Sequence, residues 1–268
     1  MPSFVPNTGG EFEDEDVVRA YAHRTKYPPA LLQRLLDLTS GRNCALDLGC
    51  GLGQFACAFA PRFGEVLAVD PSAAMLRLGR SLDAGAHPNI RWIEATAEEV
   101  RLNAVLDLAV AGASVHWMNC ARVMPKLAAA LAPDGYLALI GGDGPADAPW
   151  IDDWKAIIME WVGRLGGVWD DAEFRARAAA REPWIDIAGA ESFTYQVRQS
   201  VEDLIEAEHS RATWARSKVG NAAQNFDADL RAIVAPFAEG GEVEFMVTSK
   251  VKWGRPRSTH REAPDAKV

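Results

Sequence analysis

Three glycines at alternate positions, Gly49, Gly51 and Gly53, separate a short apolar run from a helical pattern. The run, Cys44–Leu48, predicts a buried parallel strand that carries one acid, Asp47. Glycine is needed where the backbone takes a positive φ or where a ligand must approach without meeting a Cβ. The start of the following helix offers free N–H groups to an anionic or electron-rich ligand. This segment therefore predicts a ligand-binding loop between a strand and a helix.

The spacing of the glycines limits the class of ligand that this loop is expected to bind. Dinucleotide-binding loops have the pattern Gly-x-Gly-x-x-Gly, and here the third glycine comes one residue early. The Gly-Lys-Ser/Thr ending of a P-loop is absent. The observed order of strand, Asp-x-Gly-x-Gly-x-Gly and helix resembles class I S-adenosylmethionine (SAM) dependent methyltransferases, including small-molecule enzymes of the trans-aconitate and ubiquinone type.

A second apolar strand, 65–69, ends in Asp70. Ser72 is a natural N-cap for a helix over 73–82. An acid at the tip of the second strand of a βαβ unit can accept hydrogen bonds from both ribose hydroxyls of a cofactor. The alternative is that Asp70 merely opens a turn before Pro71. By resemblance Met75 lies against the adenine; as an alternative it is an ordinary core methionine.

Two further strands complete the resemblance, which covers roughly residues 40–140. The third, 89–94, precedes Ala97 and Glu98, which match the family's adenine-recognition segment, and the fourth is 106–111. The implied fold class is α/β: a Rossmann-like seven-stranded, mostly parallel sheet with helices on both faces and an α-helical cap inserted after strand five. The last strand is expected to run antiparallel between the fifth and sixth. The residues expected at SAM, or at its product S-adenosylhomocysteine, are Asp47, Gly49, Cys50, Gly51, Asp70, Ser72, Met75, Ala97, Glu98 and Ala111.

The pattern along the chain predicts five segments. They are a flexible tail over 1–13, a SAM-binding core with an N-terminal lid segment over 14–140, a helical cap over 141–190, the C-terminal part of the core over 191–253, and a flexible tail over 254–268. Asn119 is expected to cap a helix that contains Pro125, and strand five is expected at 136–140. Helices are predicted at 151–165, 171–180, 202–217 and 226–237, and strands six and seven at 191–199 and 242–253.

Charge and cysteine content limit the kinds of ligand and partner that we expect. The chain of 268 residues has a net charge of −9 and no block of basic residues in its folded part, which disfavours a nucleic acid substrate and favours a small-molecule methyl acceptor. The four cysteines include no Cys-x-x-Cys pair, so neither a zinc site nor a disulfide framework is expected. No leader or membrane-spanning pattern is recognised, so the simplest expectation is a cytoplasmic protein. The oligomeric state cannot be inferred.

Two histidines are candidate bases for deprotonating an acceptor. A sulfonium methyl is transferred by in-line displacement, which requires alignment of the reacting atoms and, for some acceptors, a base. His116 follows the fourth strand, at a position where the family often has His-Trp. His209 lies on the inward side of the predicted cap helix. The alternative for His116 is a structural histidine bonded to a backbone carbonyl.

The acceptor itself stays open. Tyr21, Arg24 and Tyr27 resemble the family's N-terminal segment, which folds over the site. Arg24 is a candidate to pair with the cofactor carboxylate or an acidic substrate; the alternative is an ordinary surface arginine. Arg211 is a second cation for a carboxylate acceptor. Three tryptophans are candidates to wall an apolar or aromatic acceptor, or else simply fill the core: Trp117, Trp150 and Trp154. Two other functional classes remain: a catalytically silent SAM-binding scaffold or regulator, and an enzyme that transfers a different group from SAM or uses its sulfonium charge without transfer.

Overall fold

The computed structural model of this chain describes residues 10–167 and 179–259. These residues belong to two compact units. We call the first the helical unit; it comprises the described residues of Met1–Pro28, Gly142–Asp170 and Phe193–Ser249. We call the second the sheet unit; it comprises those of Pro29–Gly141, Asp171–Ser192 and Lys250–Val268. The expected tails at 1–9 and 260–268 and most of the helix expected at 171–180 lie outside the described residues.

The sheet unit is built on parallel strands that are almost wholly apolar. They are β1 (Cys44–Leu48), β2 (Glu65–Asp70), β3 (Ile90–Glu94), β4 (Leu106–Gly112) and β5 (Leu131–Gly141). Their order is β3-β2-β1-β4-β5, so the chain reverses its direction of travel across the sheet between β1 and β4. In such sheets ligands bind at the carboxyl ends of the strands beside this reversal. The glycine loop follows β1 at this point.

The last strand, β8 (Glu242–Pro256), is antiparallel to β5 and pairs with it from Gly141↔Lys250 to Leu137↔Gly254. Its earlier residues, which belong to the helical unit, pair with β6 (Pro145–Asp147). A long strand, β7 (Ile185–Ser200), also pairs with β8. The predicted α/β class with a mostly parallel sheet and an antiparallel last strand is therefore confirmed, with eight strands in the described residues rather than seven.

A short helix of the helical unit, α1 (Glu15–Tyr21), comes first in the chain. The next four helices belong to the sheet unit. The four are α2 (Pro29–Leu36), α3 (Gln54–Phe59), α4 (Ala73–Asp83) and α5 (Cys120–Ala130). The Ser72 hydroxyl accepts a hydrogen bond from the Met75 N–H at 3.0 Å, and Asn119 caps α5 in the same way. Both predicted N-caps are thus confirmed, and Pro125 lies inside α5 as expected.

The helical unit has its own core. Besides α1 it contains α6 (Ile151–Arg164), α7 (Val201–His209), α8 (Arg216–Val219) and α9 (Ala223–Val234). Trp161 and Trp214 pack against Phe226, with ring centroids 5.6 and 4.9 Å from it. In the part of the chain that is described, no helix combines the length and the apolarity needed to cross a membrane.

Several expected element bounds were wrong. The helix expected over 202–217 ends at His209, and a 3-10 turn and a short helix follow it. Strand β5 begins at Leu131 rather than at 136, because Leu131 already pairs with Leu106 of β4. A register shift then separates this pair from the next, which joins Leu108 to Tyr136. Strand β6 was not expected, and β7 begins at Ile185 rather than at 191. Residues Gly10–Glu13, expected in a tail, form a 3-10 turn, and β8 extends to Pro256.

Candidate functional site

The loop after β1 takes a backbone path that only glycine follows without strain. Gly49, Gly51 and Gly53 have φ values of +72°, +52° and +82°. A Cβ built on Gly49 would lie 2.4 Å from the Cβ of Ser114, and one on Gly53 would lie 2.3 Å from the Trp92 ring. The loop is therefore held close to its neighbours, and its outer face is bare backbone that a ligand can approach.

The carboxylate of Asp70 organises this loop. Its Oδ2 accepts a hydrogen bond from the Gly51 N–H at 2.8 Å, and its Oδ1 accepts one from the Ser72 N–H at 2.9 Å. The N–H groups of Gly49 and Cys50 both donate to the Val69 carbonyl, at 2.8 and 3.0 Å. A carboxylate oxygen can accept more than one hydrogen bond. Asp70, which is 8% exposed, is thus fixed at the tip of β2 beside the glycine loop.

Asp47 supports the loop from within the core. It is 1% exposed, and its Oδ2 accepts a hydrogen bond from the Ala56 N–H at 3.0 Å, one of the free donors in the first turn of α3. Burial raises the pKa of Asp47 to about 7, and the negative charge of Asp70 acts in the same direction. This geometry gives Asp47 the role of anchoring α3 to β1.

Ser114 is a residue that the sequence analysis missed. Its hydroxyl donates to the Leu48 carbonyl at 2.7 Å, and it is 7% exposed. This bond joins the end of β4 to the end of β1, on either side of the reversal in strand order. The available signal was a small hydroxyl residue directly after the fourth strand.

The segment after β3 is tied to α5. The Glu98 carboxylate accepts a hydrogen bond from the Asn119 N–H at 2.6 Å. Lys126, which sequence reasoning also missed, donates from Nζ to the carbonyls of Ala97 and Glu98 at 3.2 and 3.0 Å. Met75 and Ala111 are 1% and 2% exposed and belong to the packed core of the sheet unit. Contacts of these four expected residues with SAM stay predictions.

His116 and Trp117 occupy a 3-10 turn, Val115–Trp117, directly after β4. The His116 residue is exposed, whereas Trp117 is half-buried. Their ring centroids are 4.7 Å apart. The turn therefore presents an imidazole to solvent just beyond the carboxyl end of β4, and the base role expected of His116 stays a prediction.

In the helical unit, two of the expected acceptor residues share one acid. Asp143 contacts Nη1 of Arg24 at 3.2 Å and Nη1 of Arg211 at 3.7 Å. Arg24 also donates from Nε to the Ser210 hydroxyl at 2.7 Å, and its guanidinium lies over the Tyr21 ring, 4.2 Å from the centroid. Asp143 carried no local sequence signal and was missed.

Charge in this cluster is nearly balanced. Burial opposes ionisation of Asp143, but the positive charges of Arg211 and Arg24 outweigh it and lower the pKa of the carboxyl. Glu208 accepts from Nε of Arg211 at 3.3 Å and adds a second negative charge. Burial, reinforced by the charge of Asp143, raises the pKa of the Tyr27 phenol well above its usual range. Tyr27 is therefore neutral at physiological pH.

Three other expected site residues lie in the core of the helical unit. Trp150 and Trp154 are 0% and 5% exposed, with ring centroids 5.3 Å apart. His209 is 1% exposed; its Nδ1 lies 2.7 Å from the Trp214 carbonyl and its Nε2 lies 2.6 Å from Oδ1 of Asp227. Both ring nitrogens are engaged, so the geometry supports a structural role for His209, and the two tryptophans fit the packing alternative.

Comparison with known proteins identifies the family. A methyltransferase-domain family profile matches residues 45–135. An uncharacterized methyltransferase of Mycobacterium bovis is 31% identical over 186 residues, which are 68% of this chain and 70% of that protein. The chain is a class I SAM-dependent methyltransferase.

Two further similarities show how much of the chain resembles known methyltransferases. A solved structure from Anaeromyxobacter dehalogenans, provisionally named a type II methyltransferase, superposes with a TM-score of 0.64 at 25% identity and covers 87% of this chain and 97% of its own. The trans-aconitate 2-methyltransferase of an Azoarcus species is 32% identical over 132 residues, which are 48% of this chain and 49% of that enzyme. The fold is thus shared over nearly the whole chain, whereas similarity to the aconitate enzyme covers about half of each protein.

The loop of this methyltransferase fits SAM. The cofactor carries two ribose hydroxyls, and the buried carboxylate of Asp70 is an acceptor suited to both. Side chains at Gly49 and Gly53 would fill space that their neighbours occupy, so the loop keeps a face of bare backbone. The residues expected to hold SAM, which are the loop glycines, Cys50, Asp70 and Ser72, all lie in the sheet unit, and their contacts with SAM stay predictions.

The expected site residues are divided between the two units. His116, Trp117 and all the residues expected at SAM belong to the sheet unit. The remaining expected site residues belong to the helical unit, where the structure brings both arginines to Asp143; they are Tyr21, Arg24, Tyr27, Trp150, Trp154, His209 and Arg211.

Proposed function

We propose that this methyltransferase transfers the SAM methyl group to an oxygen, nitrogen or carboxylate atom of a small molecule. The observation that supports the proposal is the pair of hydrogen bonds from Gly51 and Ser72 to Asp70, which hold this carboxylate beside the glycine loop, where we propose that it accepts from the cofactor ribose. The net charge of −9 supports a small-molecule acceptor, because a nucleic acid backbone is bound by basic surfaces.

The chemistry divides between cofactor and chain. When bound, SAM supplies a sulfonium-activated methyl group. The chain's residues then position the acceptor, exclude water and, for a hydroxyl or ammonium acceptor, remove a proton. We propose His116 for the last task, because its imidazole is exposed directly after β4. His209 is not proposed, since both of its nitrogens are already bonded in a core.

The arginine cluster bears on the kind of acceptor. Arg24 and Arg211 both contact Asp143, so a carboxylate acceptor would have to compete with that side chain for them. Glu208 offsets the remaining positive charge. This balance favours a phenol or an amine over a polycarboxylic acid of the kind that the trans-aconitate enzyme's name implies.

Cofactor binding provides the first test. Calorimetric titration should show binding of SAM and S-adenosylhomocysteine, with NAD as the control that does not bind. Asp70→Ala removes two charge-assisted hydrogen bonds, each about 1.5–3 kcal/mol, so SAM affinity should fall at least about 100-fold. The matched control is Glu94→Ala, because Glu94 is the β3 residue paired with Asp70 and is exposed. Equal SAM affinity in folded Asp70→Ala and wild-type proteins would refute the ribose role.

Turnover provides the second test. Release of S-adenosylhomocysteine should be measured with a phenol, an amine and a polycarboxylic acid as acceptors. For a hydroxyl or ammonium acceptor, His116→Ala should lose turnover while SAM affinity is kept. If the variant showed wild-type rates at every pH, His116 would not be the base. Tight SAM binding with no turnover on any acceptor would instead favour a scaffold or regulatory role.

A further inference from the structure

Three potential metal ligands converge in the sheet unit. Cys57 lies on α3, Asp83 is the last residue of α4, and His87 follows in the loop that leads to β3. One ligating atom from each lies within 4.8 Å of the other two. The Cys57 Sγ is 3.7 Å from Oδ1 of Asp83, and that same oxygen is 2.6 Å from Nδ1 of His87. This grouping plays no part in the proposed methyl transfer.

The backbone after α4 is shaped to bring His87 back to Asp83. Ala84 and Gly85 take left-handed conformations with φ values of +49° and +76°. Such a conformation is unusual for alanine, since its Cβ crowds the following carbonyl. The Ala86 N–H donates to the Asp83 carbonyl at 2.9 Å, and the His87 N–H donates to Asp83 Oδ2 at 3.3 Å. Two consecutive left-handed residues thus make a tight turn that faces both side chains towards Cys57.

The chemistry of the three groups matches one class of ion. Thiolate, imidazole and carboxylate are the ligands of zinc, and sites with three protein ligands keep a fourth position for water. Ordinary tetrahedral bond lengths place sulfur and oxygen ligands about 3.6 Å apart, close to the separation of Cys57 and Asp83. Nitrogen and oxygen ligands would be about 3.4 Å apart, so His87 Nδ1 and Asp83 Oδ1 would separate from 2.6 Å and their hydrogen bond would be replaced by the two bonds to the metal.

We propose that Cys57, Asp83 and His87 bind one divalent zinc-like ion with water as the fourth ligand. The Asp83 side chain is 5% exposed and that of His87 is 27% exposed, so the carboxylate is sheltered while the imidazole side admits water and the ion. On binding, bonds form from the metal to the Cys57 sulfur, the His87 Nδ1 and a carboxylate oxygen of Asp83. The thiol proton passes to solvent, and the proton on His87 Nδ1 is exchanged through solvent onto Nε2, so that Nδ1 has a lone pair for the metal. No oxidation or reduction is involved.

The position of the site separates it from SAM. Helix α4 runs from the carboxyl end of β2 back to the start of β3, which is parallel to β2, so its last residue lies towards the amino ends of the strands. The glycine loop lies at the carboxyl ends. The ion would therefore join the α4 terminus to α3, the helix that begins at the glycine loop, as a structural tie. The spacing of the cysteines gave no sign of it, because the other two ligands come from a different segment.

Cobalt substitution tests the proposal on the intact protein. After chelator treatment and dialysis, Co²⁺ should bind with one equivalent and give a thiolate-to-cobalt charge-transfer absorption, and Zn²⁺ should displace it. Zn²⁺ should also raise the thermal unfolding midpoint in proportion to its affinity. Stoichiometric Co²⁺ binding without a thiolate band, or no binding of either metal, would overturn the proposal.

Variants locate the ion. Cys57→Ser and His87→Asn should each weaken Zn²⁺ binding by more than about 100-fold, since even outer-shell losses cost 10–100-fold. His23→Asn is the matched control, because His23 and Asp203 also form a pair at 2.6 Å, in a unit whose sequence contains no cysteine. Cys120→Ser controls for an unrelated thiol. Unchanged affinity in folded Cys57→Ser and His87→Asn proteins, or equal loss in the two controls, would place the ion elsewhere.

Discussion

Asp47 should make the stability of this methyltransferase fall as the pH rises. Burial raises the pKa of its carboxyl from 3.8 to about 7 in the folded chain. Between these values the folded protein holds a proton that the unfolded chain has lost, so the free energy of unfolding decreases with pH. Each unit of difference corresponds to about 1.4 kcal/mol, and a window of about 3 units gives about 4 kcal/mol.

The variant Asp47→Asn isolates this effect. Its amide oxygen can still accept the hydrogen bond from the Ala56 N–H, but it does not titrate. Urea unfolding of both proteins without SAM should give nearly parallel stabilities below about pH 3, where Asp47 is protonated in both states. The wild-type value should then fall relative to the variant by about 4 kcal/mol up to about pH 8.

The difference between the two proteins is the quantity that matters, because the other carboxylates titrate equally in both. A constant difference across this pH range would refute the reasoning. It would mean that the Asp47 carboxyl ionises as easily inside the fold as in the unfolded chain.

Three other predictions concern stability and binding. Gly53→Ala should lower the free energy of unfolding in urea by about 3 kcal/mol, from left-handed strain and the clash with Trp92. Gly241→Ala, at φ +83° with open space around it, should cost about 1 kcal/mol, and equal losses would contradict the clash. Asp143→Asn should cost about 3 kcal/mol in thermal unfolding, because it leaves Arg24 and Arg211 without their shared partner. The control is Asp16→Asn, which breaks an exposed pair with Arg19 and should lower the free energy of unfolding by less than about 1 kcal/mol. Similar losses in Asp143→Asn and Asp16→Asn would argue against a stabilising role of Asp143 between the two arginines. His209→Ala should destabilise the fold by about 3 kcal/mol without changing SAM affinity per folded molecule, and a calorimetric loss of affinity would reinstate His209 as a site residue.

Features that depend on a few neighbouring residues were predicted well from the chain. The bounds of β1 follow from an apolar run that ends at a glycine, and Ser72 is an N-cap because its hydroxyl reaches an N–H only three residues away. The alternation of Phe193, Tyr195 and Val197 with exposed neighbours has the same local origin, since side chains on a strand point to opposite faces in turn. Each depends on local geometry that any chain with this pattern would share.

Features that depend on residues far apart in the chain were not predicted. The helix expected to continue to Ser217 stops at His209, whose ring instead bonds the Trp214 carbonyl and Asp227. Ser114 gains its role from Leu48, 66 residues earlier in the chain. Asp143 looked like an ordinary loop residue, yet it meets Arg24 from 119 residues away.

The sequence by itself therefore determined the family, the parallel strands, and the glycine loop with Asp70 beside it. Local backbone preference and apolar patterning depend only on residues that are close together in the chain. Only the tertiary structure decided which charges are paired, which tryptophans are buried and which cysteine lies beside a histidine and an aspartate. Burial and Coulomb interactions depend on distance in space, and the fold sets that distance independently of separation along the chain.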